Sequence, residues 1–203
     1  MIAIIDYEIG NLTAVANMFN RIGVNCEITA ETTKIKQAQK IVLPGNGAFD
    51  ACMKGLRTTG LIPILEEKVL GDKTPMLGIC VGAQMLAHES EEGDEPGLGW
   101  VDMGVKRLPD LPGLHIPHIG WNYVKTCKPL HILAQGMSEE TRFYFSHSYY
   151  MEPKNKTDVL LTAHYGLEFA AAVSVGNIVG VQFHPEKSHS FGKQLLERFA
   201  KEF

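Results

Sequence analysis

Apolar positions along the chain fall into short blocks with two different periods. Ile2–Asp6 is an apolar run that ends on an acid, and a polar turn at 7–11 follows. Between Leu12 and Ile22 the apolar residues are Leu12, Val15, Ala16, Phe19 and Ile22, a spacing that predicts a helix with Gly23 as its stop. Val24–Thr29 alternates and predicts a strand, while Ile41–Leu43 predicts a wholly buried strand closed by Pro44-Gly45. Leu56–Leu70 predicts a helix interrupted near Gly60–Pro63, Met76–Ile79 another buried strand, and Val81–His88 a helix. Strands alternating with helices predict an α/β fold whose mostly parallel sheet is covered on both faces. The right-handed crossover rule makes a doubly wound layout the simplest arrangement.

The second half reads differently. Val101–Leu108, Ile119–Val124, Phe143–Phe145, Val159–Ala163, Phe169–Val175 and Ile178–Phe183 are short runs rich in β-branched and aromatic residues, punctuated by Gly, Pro and Asn. They predict antiparallel strands added to one side of the sheet. Phe191–Phe203 predicts a closing amphipathic helix with Phe191, Leu195, Leu196 and Phe199 on one face. With no repeat, low-complexity stretch or linker, residues 1–203 are expected to form a single domain. The acidic run Glu89–Glu95 is expected to be a solvated loop.

Composition narrows the class. The 203 residues are 45% hydrophobic and 21% charged, enough to bury a core. Lys and Arg number 19 against 23 Asp and Glu, a net charge of −4, which argues against a nucleic-acid binder that relies on backbone charge. The opening apolar run stops at Asp6, so neither a signal peptide nor a membrane span is expected there. Four cysteines (Cys26, Cys52, Cys80 and Cys127) without a CxxC pair do not form a disulfide framework, and a reducing, cytoplasmic location is expected. Cys26, Cys52 and Cys127 are expected to be packing residues.

Cys80 is different. In Gly78-Ile79-Cys80-Val81-Gly82 it sits between a predicted strand and a predicted helix, in the pattern of a nucleophile elbow. Residues two before and two after must lack a Cβ for so tight a turn. The Val81 N–H then points to where an oxyanion would form, and the start of the predicted helix favours a thiolate. A cysteine nucleophile needs an imidazole to carry protons, and the imidazole needs an orienting acceptor. His184 follows the apolar run 178–183 directly, and Glu186 lies two residues on. A surface His-Pro-Glu turn is the plainer alternative. Gly45-Asn46-Gly47, after the strand at 41–43, can bring a second backbone donor to the elbow, or can simply be a turn. His115 and His118 have a metal-like spacing but no third ligand nearby, so no metal site is expected; His147, between Ser146 and Ser148, can line a pocket or fill a strand.

Together, Pro-Gly-Asn-Gly at 44–47, Gly-Ile-Cys-Val-Gly-Ala-Gln at 78–84 and His-Pro-Glu-Lys-Ser at 184–188 resemble the class I, triad-type glutamine amidotransferases. Asp6–Asn11, Ile116–Asn122 and Tyr144–Tyr150 are similar to segments of the glutaminase subunits of imidazole glycerol phosphate synthases. The resemblance spans the chain. It implies a flavodoxin-like class I amidotransferase fold and hydrolysis of L-glutamine through a thioester on Cys80, with His184 shuttling the proton and Glu186 orienting it. Oxyanion and glutamine contacts would come from Gly45, Asn46, Gly47, Val81, Gln84, Ser146, His147 and Ser148. No cofactor is implied. Ammonia would pass to a (β/α)8-barrel cyclase subunit in histidine biosynthesis, with Asn11, Trp121 and Lys187 facing that partner. The chain's length then holds only the glutaminase half, so a partner chain is expected.

Some positions depart from that pattern. Asn46 stands where Val is more frequent, Val81 and Ala83 where Leu and Met are, and Ser146 where Val is. With Lys187-Ser188-His189, these resemble a side branch in which the same glutaminase supplies a sugar-modifying amidotransferase. The acceptor, and not the glutaminase chemistry, is what they leave open.

Overall fold

A computed structural model describes residues 1–203. Its first half builds four strands, β1 (Ile2–Ile5), β2 (Cys26–Thr29), β3 (Lys40–Gly45) and β4 (Met76–Cys80). The helices among and after them are α1 (Leu12–Arg21), α2 (Thr32–Gln37), α3 (Phe49–Thr58), α4 (Ile62–Glu66) and α5 (Val81–Gln84). The second half adds β5 (Glu89–Ser90), β6 (Met103–Arg107), β7 (His118–Tyr123), β8 (Lys125–Thr126), β9 (Arg142–His147) and β10 (Tyr149–Pro153). It closes with β11 (Val159–Tyr165), β12 (Leu167–Val175), β13 (Ile178–Val181) and helix α6 (His189–Lys201).

The main sheet runs in the order β2-β1-β3-β4-β13-β12-β10-β6-β5. Its first five strands are mutually parallel and repeat the order of a flavodoxin-like doubly wound sheet. β12, β10 and β6 extend it antiparallel, and β11 and β8 pair off the side of β12. β7 and β9 form a separate antiparallel ribbon. Ile178–Phe183 was expected among the antiparallel additions. Instead β13 lies parallel to β4 in the middle of the sheet, because the Gly176-Asn177 turn folds it back from β12, itself antiparallel.

The helices follow their apolar faces. α1 buries Val15, Ala16, Met18 and Phe19, and Gly23 follows it with a φ of 70°. It packs against α6, which buries Leu195, Leu196 and Phe199. The expected break at Gly60–Pro63 is present, but the helix before it begins at Phe49. That start is invisible locally because its N-terminal acceptor is remote: the Glu92 carboxylate takes the Phe49 N–H at 2.9 Å. The helix expected over Val81–His88 is one turn, Val81–Gln84. The chain then turns away, and the carbonyls of Met85, Leu86 and Ala87 are taken by the backbone of Leu98, Val101 and Gly99. So short a helix adds little dipole at Cys80.

The acidic run is also not a free loop. Glu89–Ser90 is a strand, Glu91 binds Lys106 and the Arg107 N–H, and Glu95 pairs with Arg57 at 2.6 Å. The partners of Glu91, Glu92 and Glu95 come from other segments, which a charge run alone does not reveal. Cys52 is buried and Cys26 half-buried, but Cys127 is exposed, because β8 lies at the margin of the sheet.

Candidate active site

Two close backbone approaches shape the elbow. Cys80 ends β4 with φ 54° and ψ −113°, in the left-handed half of the map where a side chain is strained. A Cβ on Gly82 would collide with the Leu43 carbonyl, and one on Gly78 would come within 2.8 Å of Ala83 Cα. Both flanking glycines are therefore required for the turn to seat between β3 and β4. Register places Gly45 opposite Cys80, so the 44–47 loop lies directly beside the elbow.

The loop is tied down from below. Tyr7, at the end of β1, donates its hydroxyl to the Pro44 carbonyl at 2.6 Å, and the buried Cys52 thiol reaches the Asn46 carbonyl at 3.6 Å. Burial pushes both the phenol and the thiol up from their ordinary ranges, so both stay protonated donors. Neither residue was singled out as functional from the sequence.

His184 arrives from the end of β13. Its backbone N–H donates to the Tyr144 carbonyl, and the buried Ser188 hydroxyl joins the His184 carbonyl to the Tyr144 N–H. Phe183 stacks on Phe143 with 3.8 Å between ring centroids, clamping this segment to β9. His184 Nδ1 stands 2.8 Å from Glu186 Oε1, with both side chains almost fully buried. Burial opposes a charged imidazole, but the neighbouring Cys80 sulfur and the Glu186 carboxylate outweigh it and raise His184 to about 9. Cys80 and His184, 104 residues apart in sequence, are thus coupled together with Glu186.

A cavity of about 210 Å³ opens over the sulfur. Asn46, Gly47, Cys80, Val81 and Gln84 line one part of it and Ser146, His147 and Ser148 another. Every residue expected at the glutamine site except Gly45, which sits behind in β3, therefore reaches this cavity. Glu92 lines it too, although the acidic run carried no such expectation. The Ser146 carbonyl is 4.0 Å from Cys80 Sγ. Gln84 spends both amide hydrogens inside the protein, on the Tyr149 carbonyl at 2.9 Å and Gln182 Oε1 at 3.0 Å. His147 spends both ring nitrogens, on the Tyr149 carbonyl and on His118, so neither is free for a ligand.

The residues expected to face a partner lie outside this cavity. Trp121 on β7 is 44% exposed and stacks on His189, with 5.5 Å between centroids. Lys187 lies over Tyr144, which also meets Trp121 edge-on, so these two come together. Asn11 is exposed at the start of α1, a helix that packs beside the Pro185–Lys187 turn.

A cysteine elbow, a buried histidine–glutamate pair and a flavodoxin-like sheet define a triad-type amidotransferase. The family model for glutamine amidotransferase class-I matches residues 3–203, and the chain belongs to that family. Among its relatives, imidazole glycerol phosphate synthase subunit HisH 2 of Pseudomonas aeruginosa is 48% identical, the match covering 99% of each chain. Subunit HisH 2 of Methanococcus maripaludis is 47% identical over the whole of both, and subunit HisH of Bdellovibrio bacteriovorus 47% identical over 99% of this chain and all of that one. Among solved structures, PurLQS from Thermotoga maritima superposes with a TM-score of 0.76 at 15% identity, covering 98% of this chain and 96% of that one, a likeness of fold.

Proposed function

We propose that the chain is the glutaminase subunit of an imidazole glycerol phosphate synthase, residues 1–203 acting as one domain that releases ammonia from L-glutamine for histidine biosynthesis. The observation that carries this is Cys80, which lines a polar cavity of about 210 Å³ and is coupled to the buried His184–Glu186 pair, in a chain about half identical to HisH subunits along its whole length. Those relatives favour the histidine acceptor over the sugar acceptor.

Glu186 holds His184 as the imidazolium, and the Cys80 sulfur acts as its thiolate partner. The sulfur attacks the side-chain amide carbon of glutamine. The oxyanion is received by the Val81 N–H and by the backbone at Gly45-Asn46, beside it in register. His184 returns the proton to the leaving nitrogen, which departs as ammonia and leaves a γ-glutamyl thioester. Water, deprotonated by His184, then releases glutamate and restores the thiolate–imidazolium pair. Gln84 keeps only Oε1 free, an acceptor suited to the substrate ammonium, and the nearby Glu92 carboxylate adds negative charge. Gly47 and the Ser146-His147-Ser148 backbone form the remaining wall. Ammonia is handed to a (β/α)8-barrel cyclase subunit docked over Asn11, Trp121 and Lys187. No cofactor or metal enters this chemistry, and no helix is long and apolar enough to cross a membrane.

Cys80→Ala tests the reading. With the cyclase present, glutamine-dependent product formation is lost while ammonia-dependent formation persists; a variant that still used glutamine would remove Cys80 from the mechanism. Complementation of a histidine auxotroph checks the acceptor, and failure by a well-expressed protein would transfer the assignment to the sugar branch.

A further inference from the structure

Gln182 is the one polar residue in the otherwise apolar stretch from Ile178 to Phe183, and it is completely buried. An amide in such a place persists only if its hydrogen bonds are made. Its Oε1 is 3.0 Å from Gln84 Nε2, and its Nε2 is 3.9 Å from Cys80 Sγ.

The direction of these bonds is fixed by a backbone carbonyl. Tyr149 O can only accept, and it receives both Gln84 Nε2 at 2.9 Å and His147 Nδ1 at 2.8 Å. Turning the Gln84 amide round would set oxygen against oxygen, so its NH2 group must face Tyr149 and Gln182. Gln182 then has to offer Oε1 to Gln84, which leaves its N–H pointing at the sulfur. A neutral thiol is a poor acceptor and a thiolate a strong one, so a fixed donor here favours the ionised form.

We propose that Gln182 is a catalytic residue of this site: its side-chain N–H donates to the Cys80 sulfur, stabilising the thiolate before attack and again when it is expelled from the thioester. The proposal rests on Cys80 being the nucleophile of a glutaminase. On attack the negative charge leaves the sulfur for the amide oxygen, and the donor's work passes to the oxyanion N–H groups. When water adds to the thioester and the C–S bond breaks, the electron pair returns to sulfur and Gln182 again receives it. Gln84, which binds substrate on one side and orients Gln182 on the other, joins the occupied pocket to the nucleophile through two amides.

The test is the pH dependence of Cys80 alkylation by iodoacetamide in the full-length chain, read on the Cys80 peptide by mass spectrometry because Cys127 is exposed. Gln182→Met keeps the volume and removes the donor. It is expected to move the curve about one unit to higher pH and to slow alkylation at pH 7 roughly tenfold, the size of one charge-assisted hydrogen bond. Gln182→Glu keeps the acceptor for Gln84 but turns a carboxylate oxygen toward the sulfur, and is expected to move the curve further the same way. This second variant decides the matter if the first does not fold. A folded variant whose curve overlies the wild type overturns the assignment. Trapping of wild-type Cys80 by a glutamine-analogue electrophile, with the cyclase present, is the separate control: if it fails, the glutaminase reading itself falls, whatever Gln182 does.

Discussion

Glu186 gives one carboxylate oxygen to His184 Nδ1 at 2.8 Å and keeps the other buried without a partner. The carboxylate's one hydrogen bond is therefore the one to His184. Glu186→Gln preserves the shape but removes the charge. Glutamine hydrolysis in the complex is expected to fall on the order of 10,000-fold, as when the orienting carboxylate of a Ser-His-Asp triad is neutralised. Ammonia-dependent synthesis by the partner, measured in parallel, should be unchanged.

The same pair makes stability depend on pH. His184 is raised from an unfolded value near 6.5 to about 9 in the folded protein. The folded state thus holds a proton that the unfolded state releases, so this contribution is complete below about 6.5 and disappears as pH rises through about 9. Thermal melting should therefore decline between pH 7 and pH 10. His184→Gln should flatten that decline, and equal slopes for both proteins would contradict the proposed coupling.

On the acid side the sign reverses. Burial holds His147 down to about 3 and His118 to about 4, so both stay neutral while the unfolded chain takes up protons below about 6.5. Stability should fall as pH drops from about 6.5 towards 4. His118→Phe, which keeps the stacking between Phe145 and Tyr165, should lessen the fall, as read by denaturant midpoints at pH 7 and pH 5.

How much of this was legible in the sequence depends on where each constraint lies. Cys80, Gly78 and Gly82 are local: a turn this tight writes its glycines into five consecutive residues. β13 was found as a strand but with the wrong neighbours, since its pairing is decided by a hairpin and a central slot that no window of sequence contains. Glu92 and Tyr7 left no local signal, because what they bind is a backbone group brought by another element. Gln182 did leave one, an amide in an otherwise apolar run, beside the more conspicuous His184.

The elbow also sets a steric limit. Gly82→Ala would drive a methyl into the Leu43 carbonyl. Backbone must move to relieve it, at a cost of roughly 2–3 kcal/mol, which corresponds to a melting temperature about 5–10 °C lower in a chain of this size. Calorimetry of the purified variant measures this directly.

Trp121 offers the opposite case, a large side chain whose loss the isolated chain should tolerate. It is 44% exposed, meets Tyr144 edge-on and stacks on His189. Trp121→Ala is expected to leave melting of the isolated chain nearly unchanged while weakening association with the cyclase roughly 30-fold, the loss typical of an aromatic anchor. Titration calorimetry of the two subunits gives the comparison.

Cys80 has one more consequence, and it concerns what selection must hold in place. Its φ of 54° is a conformation in which glycine rests freely and cysteine does not, a difference on the order of 1 kcal/mol or more. At this position the residue the backbone prefers is the residue that abolishes the chemistry. Drift unconstrained by activity would run downhill toward a sturdier, inert protein, so a cysteine here marks a site whose use has been continuously enforced.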